Sequence, residues 1–313
     1  MGSVEWEGNR DTLSEQLGRF VGTWEPSLAQ GFLQYDHLLR AKARRAPREW
    51  GQKGIAPYWQ ELPRWLANRG GCGRDAAAEE FLETVIWGQT TLFYAVRLQD
   101  DHLDGHLPHT PLLLAPLLFL SEADRAFSSV IDTKAAFWNH YRLALQTTLT
   151  GIARVAQMQR DTAISPDDLL QNYGRVDAIF SVGSSSVCER MGRAEDIPRI
   201  DQFVSELGKV LLALDDLEDI GEDLEDGRLN FAARILLEGS GASDIDLALL
   251  ARSWRLHARP EGLDAIRKAL LNSLDRGAKA ISPLGLRPAM NLISATRAEV
   301  QELRDLRGIT APG

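Results

Sequence analysis

The stretch LGKVLLALDDLEDIGEDLEDGRLNF, residues 207–231, carries the most information in this chain. An apolar run, Val210 to Leu214, leads into Asp215-Asp216-Leu217-Glu218-Asp219 and on to Glu222-Asp223. In a helix, positions i and i+4 lie on one face, about 6 Å apart along the axis. Asp215, Asp219 and Asp223 therefore form a column at i, i+4 and i+8. Like charges at that spacing destabilise a bare helix by a few tenths of a kcal/mol per pair. A cation is the natural compensation. An all-oxygen ligand set suits Mg²⁺, which takes few carboxylates and completes its shell with water and phosphate.

A second acidic cluster lies about a hundred residues upstream: Asp100-Asp101-His102-Leu103-Asp104, preceded by Leu92-Phe93-Tyr94-Ala95-Val96. It has the same D-D-x-x-D spacing and puts Asp100 and Asp104 on one face. A single such cluster is weak evidence, because acidic residues are common on solvated helix faces. Two copies, each following an apolar stretch that belongs in a core, place carboxylates at the mouth of an apolar cavity.

The paired motifs resemble those of the class I isoprenoid enzymes, the trans-prenyl diphosphate synthases and class I terpene synthases. Residues 207–231 resemble the second aspartate-rich motif of prenyl diphosphate synthases. The upstream YGRVDAIFSVGSSSVCERMG, residues 173–192, resembles the helix that carries their Lys-Thr pair, with Arg175 on the Lys position. The resemblance covers roughly residues 80 to 240. It implies an all-α, single-domain bundle of the isoprenoid synthase type, with the active-site cavity between core helices. It also implies ionisation of a linear prenyl diphosphate, of fifteen carbons or more, by two or three Mg²⁺ ions.

The departures from that pattern are informative. Chain elongases carry an N-terminal Gly-Lys-Arg-x-Arg-Pro segment and an Arg pair just after the first motif. Here Gly105-His106-Leu107-Pro108-His109 follows the first motif, Lys42 to Pro47 is only a poor match to the basic segment, and Leu212 replaces a Gln. The 215/219/223 column has the spacing of the terpene synthases' second metal motif. A terpene synthase that cyclises or quenches the cation is thus the first expectation. A prenyltransferase with a separate acceptor, an isoprenoid diphosphate or another metabolite, is the alternative.

The site expected from these arguments has Asp100, Asp104, Asp215, Asp219 and Asp223 as metal ligands. Arg175 grips the diphosphate, with Arg228 and Asn230 as weaker binders. Aromatic faces stabilise a carbocation without attacking it, which nominates Phe93, Trp87 and Phe180, although each is more often ordinary core. Asp101 and Asp216 point away from the columns, toward the ligands' neighbours. His102, His106 and His109 have poor zinc spacing and read as loop.

Composition agrees. The chain has 313 residues, 44% of them apolar, and a formal net charge of −9, which argues against non-specific nucleic-acid binding. Two cysteines, Cys72 and Cys188, exclude a disulfide framework. The apolar run from Leu112 to Leu120 is too short to span a bilayer, and no signal pattern opens the chain. A cytoplasmic protein without stable membrane insertion is expected, and a homodimer is compatible with the resemblance.

Helical periodicity runs almost throughout. Residues 1–74, which hold five of the eight Trp, are expected as an N-terminal helical segment packed on a 75–313 catalytic domain. The pattern predicts helices from about Ser27 to Arg45, from Asp75 through the first motif, over Leu112–Leu120 as a buried helix, and then a long one from Ser121 or Asp132 to about Arg160. Ser165-Pro166 starts another that reaches Arg193, with Gly183 as a local break. Pro198 opens the helix of the second motif, which ends near Gly227. Helices over 243–251, 260–279 and 288–307 complete the set.

Overall fold

The computed structural model describes residues 8–45, 58–69, 75–103, 105, 107, 110–238 and 247–303. Among them the regular structure is helical: α1 (Gly8–Val21), α2 (Pro26–Arg45), α3 (Tyr58–Arg69), α4 (Ala76–Leu103), α5 (Ala115–Val130), α6 (Phe137–Met158), α7 (Pro166–Val176), α8 (Val182–Arg190), α9 (Ile197–Glu225), α10 (Phe231–Leu237), α11 (Leu247–His257), α12 (Pro260–Ile281) and α13 (Arg287–Glu302). Short 3₁₀ turns link several of these. Contacts divide the chain into two compact units, Met1–Glu61 with Asp75–Asp132, and Leu62–Arg74 with Thr133–Gly313.

In the first unit, α1 and α2 pack on α4 and α5 around one apolar cluster that includes Leu17, Phe32, Leu98 and Ala126. Phe119 sits among the rings of Phe20, Trp24, Phe32 and Tyr94, with centroids 5.0–5.6 Å away. Such pairs add about 0.5–1.5 kcal/mol each beyond their burial. Gly88 lets α4 approach α5 closely: a methyl there would lie 2.9 Å from the Phe127 ring. The side chain of Asp75 accepts from the Ala78 amide at 2.8 Å and so opens α4.

Leu112–Leu120 is not the expected buried helix. Thr110–Leu114 is a 3₁₀ turn, and α5 then runs unbroken to Val130. Leu112, Ala115 and Phe119 are buried, whereas Leu113, Leu114, Leu117 and Leu118 face outward. A continuous apolar run does not reveal which of its faces finds a partner.

In the second unit α9 is the central helix, packed by α7, α10, α11 and α12. Ser165 caps α7 as its sequence predicts, accepting from the Asp168 amide at 3.1 Å. The chain then breaks at a 3₁₀ turn over Asp177–Ser181, not at Gly183, which lies inside α8. The cause is tertiary. The Thr148 hydroxyl on α6 accepts from the Ile179 amide at 2.9 Å, so that amide is satisfied outside an α-helical ladder.

Asp177 lies on Gly208 of α9. A methyl on Gly208 would sit 2.7 Å from the Asp177 Cβ. Gly208→Ala is therefore expected to cost about 1–3 kcal/mol, read as a lower midpoint in chemical denaturation with the slope unchanged. Across the same seam, buried Lys209 donates to Gln171 at 2.8 Å and to Glu206 at 3.0 Å, and Arg276 of α12 donates to Glu206 at 3.0 Å. Every charge in that chain has a partner, as burial requires. No described helix is long and apolar enough to cross a membrane.

Candidate active-site motifs

The first motif occupies the last turn of α4. Asp100 is half-buried and Asp101 buried. Asp101 Oδ2 accepts from the Tyr35 hydroxyl of α2 at 2.5 Å. Its other oxygen pairs with Arg97 at 2.8 Å, and the same guanidinium reaches Asp100 at 3.4 Å. Burial, and then the Asp101 charge, push the Tyr35 phenol well above its ordinary value, so it stays a donor. About two turns earlier on α4, the Tyr94 hydroxyl donates to Asp36 at 2.6 Å, and Arg40 pairs with Asp36 at 2.7 Å. Asp104 lies outside the described residues, as do His106 and His109.

The second motif lies in the last three turns of α9. Asp215 and Asp219 are exposed, whereas Asp216 and Asp223 are buried. Asp216 Oδ2 accepts from the Tyr173 hydroxyl of α7 at 2.6 Å and from the Phe231 amide at 2.9 Å. Burial raises Asp216 well above the usual carboxylate range against the pull of the Tyr173 bond, and the charges of Asp223 and Asp215 add to the rise.

The chain turns back beyond α9. Gly227 adopts φ 71°, a left-handed conformation that glycine takes at little cost. The Arg228 amide then donates to the Asp223 carbonyl at 2.7 Å. This reversal aims two side chains at the motif from behind. Arg228 pairs with Asp223 at 2.8 Å and with Asp226 at 2.9 Å. Asn230, wholly buried, donates to Asp223 Oδ2 at 2.6 Å and to the Asp216 carbonyl at 2.9 Å, and its own oxygen caps α10 by accepting from Ala233 at 2.8 Å.

The expected column is thus divided. Asp215 and Asp219 present their carboxylates outward one turn apart, while Asp223 is held by Arg228 and Asn230. Asp219 reaches solvent, yet the surrounding protein strips part of its hydration. That loss, and then the charges of Asp215, Asp223, Glu222 and Glu218, raise its carboxyl to about 7. Crowded oxygen anions of this kind fit a hard dication. Mg²⁺ needs only one or two protein carboxylates, the rest of its shell being water and phosphate. Among the described residues, no three His, Cys, Asp or Glu side chains converge as a ready-made metal cage.

Arg175 is exposed on the last turn of α7. Its carbonyl accepts from the Thr148 hydroxyl at 3.4 Å, and Gly151 of α6 lies against its Cβ. Phe180 is half-buried in the 3₁₀ turn that follows. Phe93, half-buried, stacks on Trp59 at 4.9 Å. Trp87 is wholly buried, with its indole N–H donated to Glu122 at 2.6 Å and its ring edge-on to Phe20. That is the setting of a core residue.

Sequence reasoning missed Tyr35, Tyr173 and Arg97. Arg97 was legible, four residues before Asp101 on the same face. The tyrosines were not, since they lie 66 and 43 residues from their partners.

The sequence matches no protein-family model and no curated protein. Solved structures do match. A polyprenyl synthetase from Streptomyces coelicolor A3(2) superposes with a TM-score of 0.65 at 15% identity, over 94% of this chain and 98% of that one. The fold is that of the class I isoprenoid synthases. A decaprenyl diphosphate synthase from Rhodobacter capsulatus gives 0.61 at 19% identity, over 93% and 99% of the two chains. A geranylgeranyl pyrophosphate synthetase from Pyrococcus horikoshii Ot3 gives 0.61 at 13% identity, over 95% of each. The isoprenoid synthase fold therefore extends over nearly the whole chain, at identities that speak for architecture alone.

Proposed function

We propose that this protein is a class I enzyme of prenyl diphosphate metabolism, a prenyltransferase that ionises an allylic prenyl diphosphate and passes the cation to a separate acceptor. The observation that carries the reading is the pair of D-D-x-x-D motifs on an isoprenoid synthase fold, each with its second aspartate buried and its first more exposed. The solved structures named above are polyprenyl and prenyl diphosphate synthases, which supports transfer over cyclisation.

In this reading Asp100, Asp104, Asp215 and Asp219 hold the Mg²⁺ ions, and Asp223 organises the second motif through Arg228 and Asn230. Bound Mg²⁺ would supply Lewis-acid stabilisation of the departing diphosphate. Arg175 adds a guanidinium for the same anion. Phe93, half-buried and two turns before Asp100 on α4, is the aromatic face assigned to the cation, whereas Trp87 is core packing. Residues 75–313 carry the chemistry, and the Trp-rich residues 1–74 pack against it. The outward Leu117 of α5 and Leu114 just before it suit a homodimer, and a cytoplasmic location fits the whole.

A terpene synthase is the second reading. It is favoured by the segment after the first motif, where Gly105 to His109 offer no Arg pair for a second diphosphate. The same absence, under the first reading, favours an acceptor that carries no diphosphate.

The test is diphosphate release from geranyl, farnesyl and geranylgeranyl diphosphates, each with and without Mg²⁺ and with and without isopentenyl diphosphate, with mass spectrometry of the organic extract. Mg²⁺-dependent release that requires isopentenyl diphosphate establishes an elongase. Release without it, giving a hydrocarbon or a terpene alcohol, establishes the terpene synthase. No release under any condition excludes the elongase and the terpene synthase for these substrates, and the prenyltransferase reading then stands or falls on the same assay with acceptors that carry no diphosphate.

A further inference from the structure

The two acidic motifs lie on different helices in different compact units, yet one device recurs in both. The second aspartate of each motif is buried and accepts a short hydrogen bond from a buried tyrosine on a neighbouring helix: Tyr35 on Asp101 at 2.5 Å, Tyr173 on Asp216 at 2.6 Å. Each aspartate has one further donor that steadies the same carboxylate, Arg97 at 2.8 Å for Asp101 and the Phe231 amide at 2.9 Å for Asp216. We infer that Tyr35 and Tyr173 are positioning residues for metal binding, each clamping the inner aspartate of a motif so that the outer one is aimed at the ion.

The physical argument is one of helix geometry. Adjacent side chains on a helix diverge by about 100°. Fixing Asp101 and Asp216 against the interior therefore fixes the rotation of the helix about its axis at that turn. Asp100 and Asp215 are then turned away from the interior, and Asp219, one turn on from Asp215, shares its direction. Without the clamp, a buried carboxylate short of donors would be drawn toward water, and the last turns of α4 and α9 would rotate with it. Neither tyrosine reaches the outer carboxylates in the structure. Each acts through its partner, as groups behind metal ligands commonly do.

This inference rests on the function proposed above, so its test reads metal binding directly. Mn²⁺ binding by electron paramagnetic resonance, and Mg²⁺ titration by calorimetry in the presence of inorganic diphosphate, would be measured for the wild type, Tyr35→Phe, Tyr173→Phe, Asp216→Asn and Asp219→Asn. Each Tyr→Phe change is expected to weaken metal binding about tenfold or more. Asp216→Asn keeps an acceptor for Tyr173 and is expected to retain binding near the wild-type level, whereas Asp219→Asn loses it. A merely structural tyrosine would lower the melting temperature and leave the affinity of the folded protein unchanged, and that result overturns the inference. So does loss of binding in Asp216→Asn as complete as in Asp219→Asn, which would make Asp216 itself a ligand. Should Tyr173→Phe fail to fold, Tyr35→Phe decides the matter in the other unit. A wild-type protein that binds neither metal would instead overturn the functional reading, and the inference with it.

Discussion

Asp219→Asn is expected to abolish Mg²⁺-dependent diphosphate release, by about a hundredfold or more in kcat, while leaving the folded protein at least as stable as before. A hundredfold corresponds to about 2.7 kcal/mol of barrier, a modest demand on a group that helps hold the ion at the leaving diphosphate. The stability half of the expectation follows from the surroundings. Among the described residues Asp219 makes no hydrogen bond or ion pair that its loss would break, and it faces Asp215, Asp223, Glu222 and Glu218. Removing one carboxylate relieves that repulsion. Turnover followed by diphosphate release, together with thermal unfolding in the presence of a chelator, checks both halves. A variant that turns over normally, or one that unfolds markedly earlier, would contradict the assignment.

Asp223→Ala is expected to do the reverse and fail first in stability. Asp223 is buried and receives both Arg228 and Asn230. Deleting it takes from the buried Arg228 its buried carboxylate partner and leaves Asn230 without one of its acceptors. Breaking one side of a buried ion pair costs about 3–5 kcal/mol, which in a chain of this size is roughly 5–8 °C in melting temperature. The reversal at Gly227 would loosen with it, because Arg228 and Asn230 hold that turn against α9. Thermal melts with and without metal separate the two aspartates. Asp223→Ala melts early in both conditions, whereas Asp219→Asn differs from wild type chiefly in losing the stabilisation that Mg²⁺ and inorganic diphosphate confer.

The contrast between Asp219 and Asp223 also shows where sequence reading runs out. By spacing the two are equivalent members of one column, since i, i+4 and i+8 describe rotation about a helix axis and nothing else. What separates them is the return of the chain beyond Gly227, which carries Arg228 and Asn230 back to Asp223 and leaves Asp219 uncovered. The same limit appears at Leu112–Leu120, where an apolar run proved to be half exposed, and at the break after Val176. There the Thr148 hydroxyl, contributed by α6, decides what Gly183 had been expected to decide.

The sequence by itself determined the helical class, several helix starts and the isoprenoid synthase resemblance that the fold bears out. Those properties are local: a 3.6-residue period, a Ser-Pro cap at 165–166, a Gly after α9, and two copies of one acidic spacing. Only the tertiary structure decided which aspartates turn outward and which are buried. That choice depends on Tyr35, Tyr173, Arg228 and Asn230, donors brought from neighbouring helices and from a chain reversal. A buried carboxylate must find such donors wherever the fold supplies them, and no local pattern in the sequence records where that will be.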